Sequence, residues 1–242
     1  MRPQRRSFRP VLPGVRSAAA RLALALVFGS VVYALGHEQF GELLLLIPAA
    51  VIQRLWLWQP LSYAFIETTA IGVIFGALIL WQLGSGLEQS WGGRRMTLFA
   101  VGTTVVAGVL TVLLSLIWPR LQLVPAFAGG TVMASVVWVA YGLSWGNRST
   151  NFWGLPLTGN VFALIGVGFV FLNGAFSTFA AVVPSILGLV LTWGYLRVGG
   201  PGEWLLRLQG WRLQRQLRSR AKHLKLVSPE RNTSGDSDRY LH

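Results

Sequence analysis

The chain has 242 residues, of which 53% are hydrophobic and 12% are charged, whereas a soluble domain carries about a quarter charged residues. This balance excludes an ordinary soluble fold and predicts an integral membrane protein. The net charge of +13 alone is typical of a nucleic-acid binder, but the long apolar runs favour a membrane, so no nucleic-acid partner is expected. With no cysteine and three histidines, the sequence also predicts no metal or cofactor.

Long apolar runs give the expected membrane spans, because a helix needs about twenty apolar residues to cross roughly 30 Å of hydrocarbon. Six runs qualify, and they cover residues 17–36, 61–83, 96–118, 126–145, 157–173 and 176–196. We therefore predict an all-α polytopic fold with six transmembrane helices in a lipid bilayer. A further apolar stretch, residues 43–58, contains Pro48, Gln53 and Arg54, and it predicts a partly inserted loop rather than a span.

The cations predict the orientation, because cytoplasmic flanks retain Lys and Arg. If the N-terminus lies inside, only Arg54 and Arg120 of the 21 Lys and Arg residues face outward. Both termini are therefore expected in the cytoplasm. The preference for Arg over Lys, with many Ala and Gly residues, favours a GC-rich bacterial genome and hence a bacterial cytoplasmic membrane.

The same patterns divide the chain into four segments. Residues 1–16 form a basic N-terminus, and residues 17–197 form the membrane domain. In residues 198–228, Trp204, Leu208 and Trp211 recur at helical spacing among arginines, which predicts an interfacial helix bound to anionic lipid headgroups. A merely solvated basic tail is the alternative. Residues 229–242 are polar and expected to be disordered.

Three stretches, in this order, resemble the rhomboid family of intramembrane serine proteases. They read LIPAAV at 46–51 with WQPLSYAF at 58–65, then WQLGSGLE at 81–88 with WG at 91–92, and finally GLP at 154–156. The residues that match the family's structural motifs are Pro48, Trp58, Gly84, Glu88, Trp91 and Gly92. The likeness covers about residues 17–197, and it implies a rhomboid-like six-helix fold.

The resemblance also implies where catalytic groups should lie. The family hydrolyses peptide bonds with a serine activated by a histidine, aided by donors that stabilise the oxyanion. Here Gly129 occupies the serine position, and Ala181, within a residue or two, the histidine position. Gly72 and Gly76 occupy the positions of the two oxyanion donors. The resemblance therefore implies a pseudoprotease with no catalytic residue left.

The glycines at these positions have a simpler structural role as well. Gly72 and Gly76 form a G-x-x-x-G pair, and such small faces let helix backbones approach each other in lipid. Gly129 is expected to let the fourth helix press against the sixth.

Two acids stand out. Glu67 is the one acid within an apolar run, which makes it a candidate functional acid, but its place near a helix end favours a hydrated interfacial carboxylate over a proton or substrate site. Glu88 precedes Arg94 and Arg95 and is expected to hold the turn between the second and third helices.

Inactive relatives of rhomboids, such as derlins, bind membrane-protein clients and assist their trafficking or quality control. The resemblance implies a similar role here, through residues 43–58 and the gap between the second and fifth helices. Two alternatives remain at this point. One is an active serine endopeptidase with a displaced nucleophile, and the other is a small transporter that uses Glu67. The hydroxyls available as a displaced nucleophile, each of which would still need a base, are those of Thr131, Ser135, Ser144 and Ser185.

Overall fold

The computed structural model describes residues 17–152 and 155–198, and within them the chain is almost entirely helical. The helices are α1 Ala18–Leu35, α2 His37–Leu44, α3 Pro48–Arg54, α4 Gln59–Ser62, α5 Ala70–Trp91, α6 Gly93–Ile117, α7 Gly130–Trp145, α8 Gly159–Phe176 and α9 Val183–Val198. Strands β1 Ser149–Phe152 and β2 Leu155–Thr158 pair as an antiparallel hairpin between α7 and α8, which the sequence analysis did not predict. Short 3-10 turns cover Tyr63–Phe65, Pro119–Leu123 and Phe179–Val182.

Five helical stretches are long and apolar enough to cross a membrane, and they contain α1, α5, α6, α8 and α9. The sixth, α7, is apolar but has only 16 residues, which is about 24 Å of helix. Most of its residues are buried, so α7 is enclosed by its neighbours rather than by lipid. The predicted all-α polytopic fold with six membrane helices is confirmed.

The second membrane helix begins later than predicted. The expected span over residues 61–83 is wrong at both ends, since α5 runs from Ala70 to Trp91. Thr69 is extended, and its hydroxyl accepts the N–H of Gly72, so it is the N-cap that starts the helix. The sixth span likewise begins late, because the 3-10 turn Phe179–Val182 precedes α9.

Residues 43–58 are not the loop that the sequence predicted. The end of α2 and all of α3 lie there, and Pro48 occupies the first turn of α3, where its missing N–H costs nothing. Of the other predicted segments, residues 1–16, 199–228 and 229–242 lie outside the described residues.

Small residues bring α1 and α5 together. A Cβ on Gly84 would lie 3.2 Å from the Cβ of Ala19, and one on Gly76 would lie 3.0 Å from Leu26 of α1. In lipid, such surfaces let two backbones approach and gain dispersion contacts. Gly76 therefore faces a neighbouring helix as its G-x-x-x-G spacing predicted.

The N-terminus of α1 is held by an acid from another helix. The backbone N–H groups of Ala18 and Ala19 donate to the two carboxylate oxygens of Glu88 at 2.9 and 3.0 Å. Ser17 is the N-cap of α1. Its hydroxyl accepts the N–H of Ala20, and its carbonyl accepts the N–H of Arg21. The N–H groups of Ala18, Ala19 and Ala20, which have no acceptor within the helix, therefore all have partners, and the Arg21 N–H makes the first hydrogen bond of the helix itself.

The expected role of Glu88 in holding the turn to α6 is thus corrected. Its carboxylate bonds to α1, and the turn itself depends on Gly92, whose φ of +84° is one that L side chains rarely adopt. The N–H of Gly92 donates to the backbone carbonyl of Glu88.

We predict that Glu88→Gln destabilises the protein by about 1–2 kcal/mol. The amide NH₂ would face the backbone N–H of Ala18 or Ala19, so one hydrogen bond would be lost, and the negative charge that favours a helix N-terminus would be lost as well. Thermal unfolding in detergent measures the loss. The matched control is Glu42→Gln, which makes the same change at an exposed acid. Equal melting temperatures for the two variants would contradict this role of Glu88.

Candidate functional site

The segment of residues 63–67, between α4 and α5, connects to three membrane helices. Its carbonyls at Tyr63 and Ile66 accept the N–H groups of Gly129 and Gly130, both at 2.9 Å. The N–H of Glu67 donates to the hydroxyl of Ser30 in α1, and the Tyr63 hydroxyl donates to the Thr104 carbonyl in α6. The segment therefore determines where α7 begins relative to α1 and α6.

The carboxylate of Glu67 completes the start of α7. Its Oε2 accepts from the backbone N–H of Thr131 at 2.9 Å and from the Thr131 hydroxyl, and its Oε1 accepts from the N–H of Thr68 at 3.2 Å. A negative charge at this position is favoured by the helix dipole as well as by the hydrogen bonds. The expectation of a hydrated interfacial carboxylate is wrong, since Glu67 is only 7% exposed.

Two glycines make room for this carboxylate. A Cβ on Gly72 would lie 2.6 Å from the Cγ of Glu67, and a Cβ on Gly130 would lie 2.9 Å from its Cβ. The expected role of Gly72 in helix approach is therefore corrected, because its bare face meets the Glu67 side chain and not another helix. No local sequence pattern indicates the bond between Glu67 and Thr131, which joins residues 64 positions apart.

Thr131 and Glu67 are a hydroxyl and a carboxylate in direct contact, which is the composition of a nucleophile and its base. The same Oε2 atom also accepts the backbone N–H of Thr131, so hydroxyl and amide of one residue share one acceptor. That arrangement is the one by which an acidic side chain caps a helix, and here the acid comes from a distant segment rather than from the helix itself. The sequence offers Thr131 as one of four possible displaced nucleophiles, but it does not indicate that the Glu67 carboxylate contacts its hydroxyl.

Gly129, at the family's serine position, is enclosed by the 63–67 segment. A Cβ built on Gly129 would lie 2.8 Å from the ring of Tyr63 and 2.8 Å from the Cα of Ala64. The expected contact of Gly129 with the sixth helix is therefore corrected. The close approach of α9 to α7 occurs instead at Gly188, whose Cβ would lie 3.0 Å from Val136.

Ala181, at the family's histidine position, lies in the 3-10 turn Phe179–Val182, before the start of α9. The other hydroxyls considered as nucleophiles are bonded or buried. Ser135 donates to the carbonyl of Thr131 one turn earlier in α7, and Ser185 is 7% exposed. In the part of the chain that the structure describes, no group of three or more His, Asp or Glu residues comes together to hold a metal.

The side chains of Trp58, Gln59 and Ser62 form hydrogen bonds with the backbone of residues 42–47, at the end of α2 and before α3. Gln59, fully buried, accepts the N–H of Ile47 at 3.0 Å and donates to the carbonyl of Glu42 at 2.9 Å. The indole of Trp58 donates to the carbonyl of Leu43, and the hydroxyl of Ser62 to that of Leu44, as two further links of the same kind. We call residues 42–62 the clasped segment.

The remaining motif residue, Trp91, ends α5. Its ring packs edge-on against Phe99 of α6, with ring centroids 5.2 Å apart, and lies 6.1 Å from the ring of Tyr195 of α9. Trp91 thus joins the ends of three helices.

For the α7 cap we predict that Glu67→Gln costs about 2 kcal/mol of stability. In either orientation the amide NH₂ would face a donor, which is the N–H of Thr68 or the N–H of Thr131. Thr131→Val removes the hydroxyl but keeps the backbone N–H. The double variant should lose less than the sum of the single losses, since both changes remove the same contact. Additive losses in thermal unfolding would show that Glu67 and Thr131 act independently.

Comparison with known proteins identifies the family. A family model described as "Eukaryotic integral membrane protein (DUF1751)" matches residues 20–198, which are most of the chain. No curated protein matches the chain significantly. The expected bacterial cytoplasmic membrane is wrong, because the family is described as eukaryotic, and an arginine-rich composition reflects codon content rather than lineage. The chain belongs to this family of eukaryotic integral membrane proteins.

Proposed function

We propose that this protein is a rhomboid-like pseudoprotease that binds membrane-protein clients without cleaving them. The six membrane helices, with a short and buried fourth one, support the rhomboid-like part of the proposal. The order of the three matching stretches in the sequence supports it independently. Fold alone does not give function, so the client-binding part also rests on the chemistry of the site.

The observation that carries the proposal is the contact of Gly129 with Tyr63. A nucleophile at position 129 would need a Cβ, and that atom would be 2.8 Å from the Tyr63 ring. Tyr63 is fully buried and anchored through its hydroxyl to Thr104, so the ring cannot easily move aside. The space that a catalytic serine requires is thus occupied by the protein itself.

Client binding is assigned to the clasped segment and to the gap between α5 and α8. Exposed apolar side chains at the start of α5, among them Ile71, Ile74 and Phe75, offer a surface on which an apolar client helix can pack. The anchored clasped segment lies just before α5 in the chain and supplies partly exposed Trp58 at its edge. Exposed Leu55, Leu57 and Trp58 on this anchored segment, together with the apolar face of α5, suit a client helix that enters from the bilayer.

The lipid contacts of the termini are part of the same proposal. The sequence bias of cations toward one side of the predicted spans supports a positive-inside orientation. The basic residues of 198–228 are proposed to bind anionic lipid headgroups.

A second candidate function, an endopeptidase with a displaced nucleophile, is favoured by one observation, the contact of the Thr131 hydroxyl with the Glu67 carboxylate. A transporter centred on Glu67 has less support, because Glu67 accepts hydrogen bonds on both oxygens. Unchanged flux in Glu67→Gln protein would dispose of the transporter.

We expect no labelling of the purified protein by a fluorophosphonate probe under conditions where a competent rhomboid protease reacts. Gly129→Ser should stay unlabelled and yield less folded protein, because its side chain clashes with Tyr63. Labelling of the wild-type chain that disappears in Thr131→Ala, Ser135→Ala or Ser185→Ala would establish the endopeptidase instead.

The client-binding role is tested by crosslinking in cells, with a photoreactive amino acid at position 57, in the exposed part of the clasped segment. Mass spectrometry should identify membrane proteins as the trapped species. Gln59→Leu, which leaves the Ile47 N–H without its acceptor, should reduce the yield several-fold through loss of the clasp. Gln53→Leu makes the same change at an exposed residue of α3 and should leave the yield unchanged. Equal yields from both variants, or no trapped membrane protein, would contradict the assignment.

A further inference from the structure

A cluster of one arginine and three aromatic rings lies where α5 and α9 end and α6 begins. The guanidinium of Arg95 sits over the ring of Trp91 at 5.4 Å and over the ring of Tyr195 at 5.8 Å. Its Nε donates to the Tyr195 hydroxyl at 3.1 Å. Phe99 is buried beneath both rings and packs against each of them, with centroids 5.2 and 4.8 Å away. The guanidinium of Arg95 is therefore oriented by two aromatic rings, one from α5 and one from α9, and Phe99 of α6 supports both rings.

The bonding of Arg95 leaves most of its donors unused. A guanidinium has five N–H groups in a rigid fork, and the Tyr195 hydroxyl takes one of them. Among the described residues no other acceptor is bonded to Arg95, and its side chain is exposed. A fork whose position is already fixed loses little conformational entropy on binding, so it is well suited to a planar or tetrahedral oxyanion.

The charge of Arg95 is also unneutralised within the described part of the chain. Glu88 is the one acidic residue in α5, α6 and α9. Both of its carboxylate oxygens accept the N–H groups of Ala18 and Ala19, and it forms no ion pair with Arg94 or Arg95. Arg94 is also exposed and adds a second positive charge to the first turn of α6. The cluster is thus a site of net positive charge with free donors.

The position of the cluster suits the membrane surface. Helix α6 has 25 residues, about 37 Å of helix, and the hydrocarbon is about 30 Å thick. The first turn of α6, which carries Arg94 and Arg95, therefore reaches the headgroup layer. Tryptophan and tyrosine are favoured at that depth, which agrees with Trp91 and Tyr195 beside the arginine.

The geometry points to a binding site for a phosphate monoester at Arg95, framed by Trp91 and Tyr195, with the phosphate supplied by a lipid headgroup or by a soluble compound. Arginine pairs with phosphate through two parallel N–H···O bonds, which lysine cannot reproduce. This site is separate from the client-binding surfaces proposed above, and it does not depend on them.

The test is a titration of the purified full-length protein with phosphatidic acid in detergent, followed by native mass spectrometry to count retained lipid. Arg95→Gln should weaken binding about tenfold or more, as the loss of one charge-assisted pair predicts. Arg95→Lys should weaken it by a smaller factor, because the charge remains and the fork is lost. Tyr195→Phe keeps the charge and frees the fork, so it should fall between wild type and Arg95→Lys.

The matched control is Arg197→Gln. Arg197 is an exposed arginine near the same end of the bundle, and it stacks on the single ring of Trp193 at 4.9 Å. Its removal takes away the same charge without touching the cluster, so binding should stay within about twofold of wild type. Equal weakening by Arg95→Gln and Arg197→Gln would overturn the proposal, because it would show attraction to charge in general. No weakening in Arg95→Gln would overturn it as well.

A parallel titration with glycerol 3-phosphate distinguishes the two sources of phosphate. Binding of phosphatidic acid alone, dependent on Arg95, supports a lipid site, and binding of both compounds with that dependence supports a soluble ligand. If neither binds in an Arg95-dependent way, the site is disproved. Thermal unfolding of each variant confirms that the protein remains folded.

Discussion

The first N–H groups of a membrane helix have no backbone carbonyl within that helix to accept them, and in lipid each of them needs another acceptor. In this protein two glutamates provide partners from outside the helix concerned. Glu88 of α5 bonds to the first turn of α1, and Glu67, just before α5, bonds to the first turn of α7. Residues 67–88 thereby hold the starts of two other helices, α1 and α7, and both of these helices pack against α5.

The cap on α7 explains several features that look unrelated in the sequence. Gly72 and Gly130 are small because the Glu67 side chain fills the space beside them. Ser30 of α1 is polar because its hydroxyl accepts the N–H of Glu67. Gly129 is small because a Cβ at this position would lie 2.8 Å from the Tyr63 ring and 2.8 Å from the Cα of Ala64. The resemblance to rhomboid proteases would place a nucleophile at Gly129, and in this structure the surrounding residues pack there and cap α7.

The helices could be predicted from the sequence because their apolar runs are long and the bilayer sets their length. The start of α5 was missed, although Thr69 is an ordinary N-cap residue, because the apolar residues before it continue the run. The burial of Glu67 could not be predicted, since it depends on Thr131, far away in the chain. The same holds for Gly129, whose neighbour Tyr63 comes from another element. Local patterns gave the spans, and contacts between distant residues decided the site.

Amide hydrogen exchange of the protein in lipid nanodiscs tests the capping by distant glutamates most directly. The first turns of α1 and α7 have acceptors for the amides of Ala18, Ala19 and Thr131, whereas the amide of Arg94, at the start of α6, has no acceptor among the described residues. Exchange at Ala18, Ala19 and Thr131 should be slower than at Arg94 by orders of magnitude. Exchange at Thr131 as fast as at Arg94 would contradict the account.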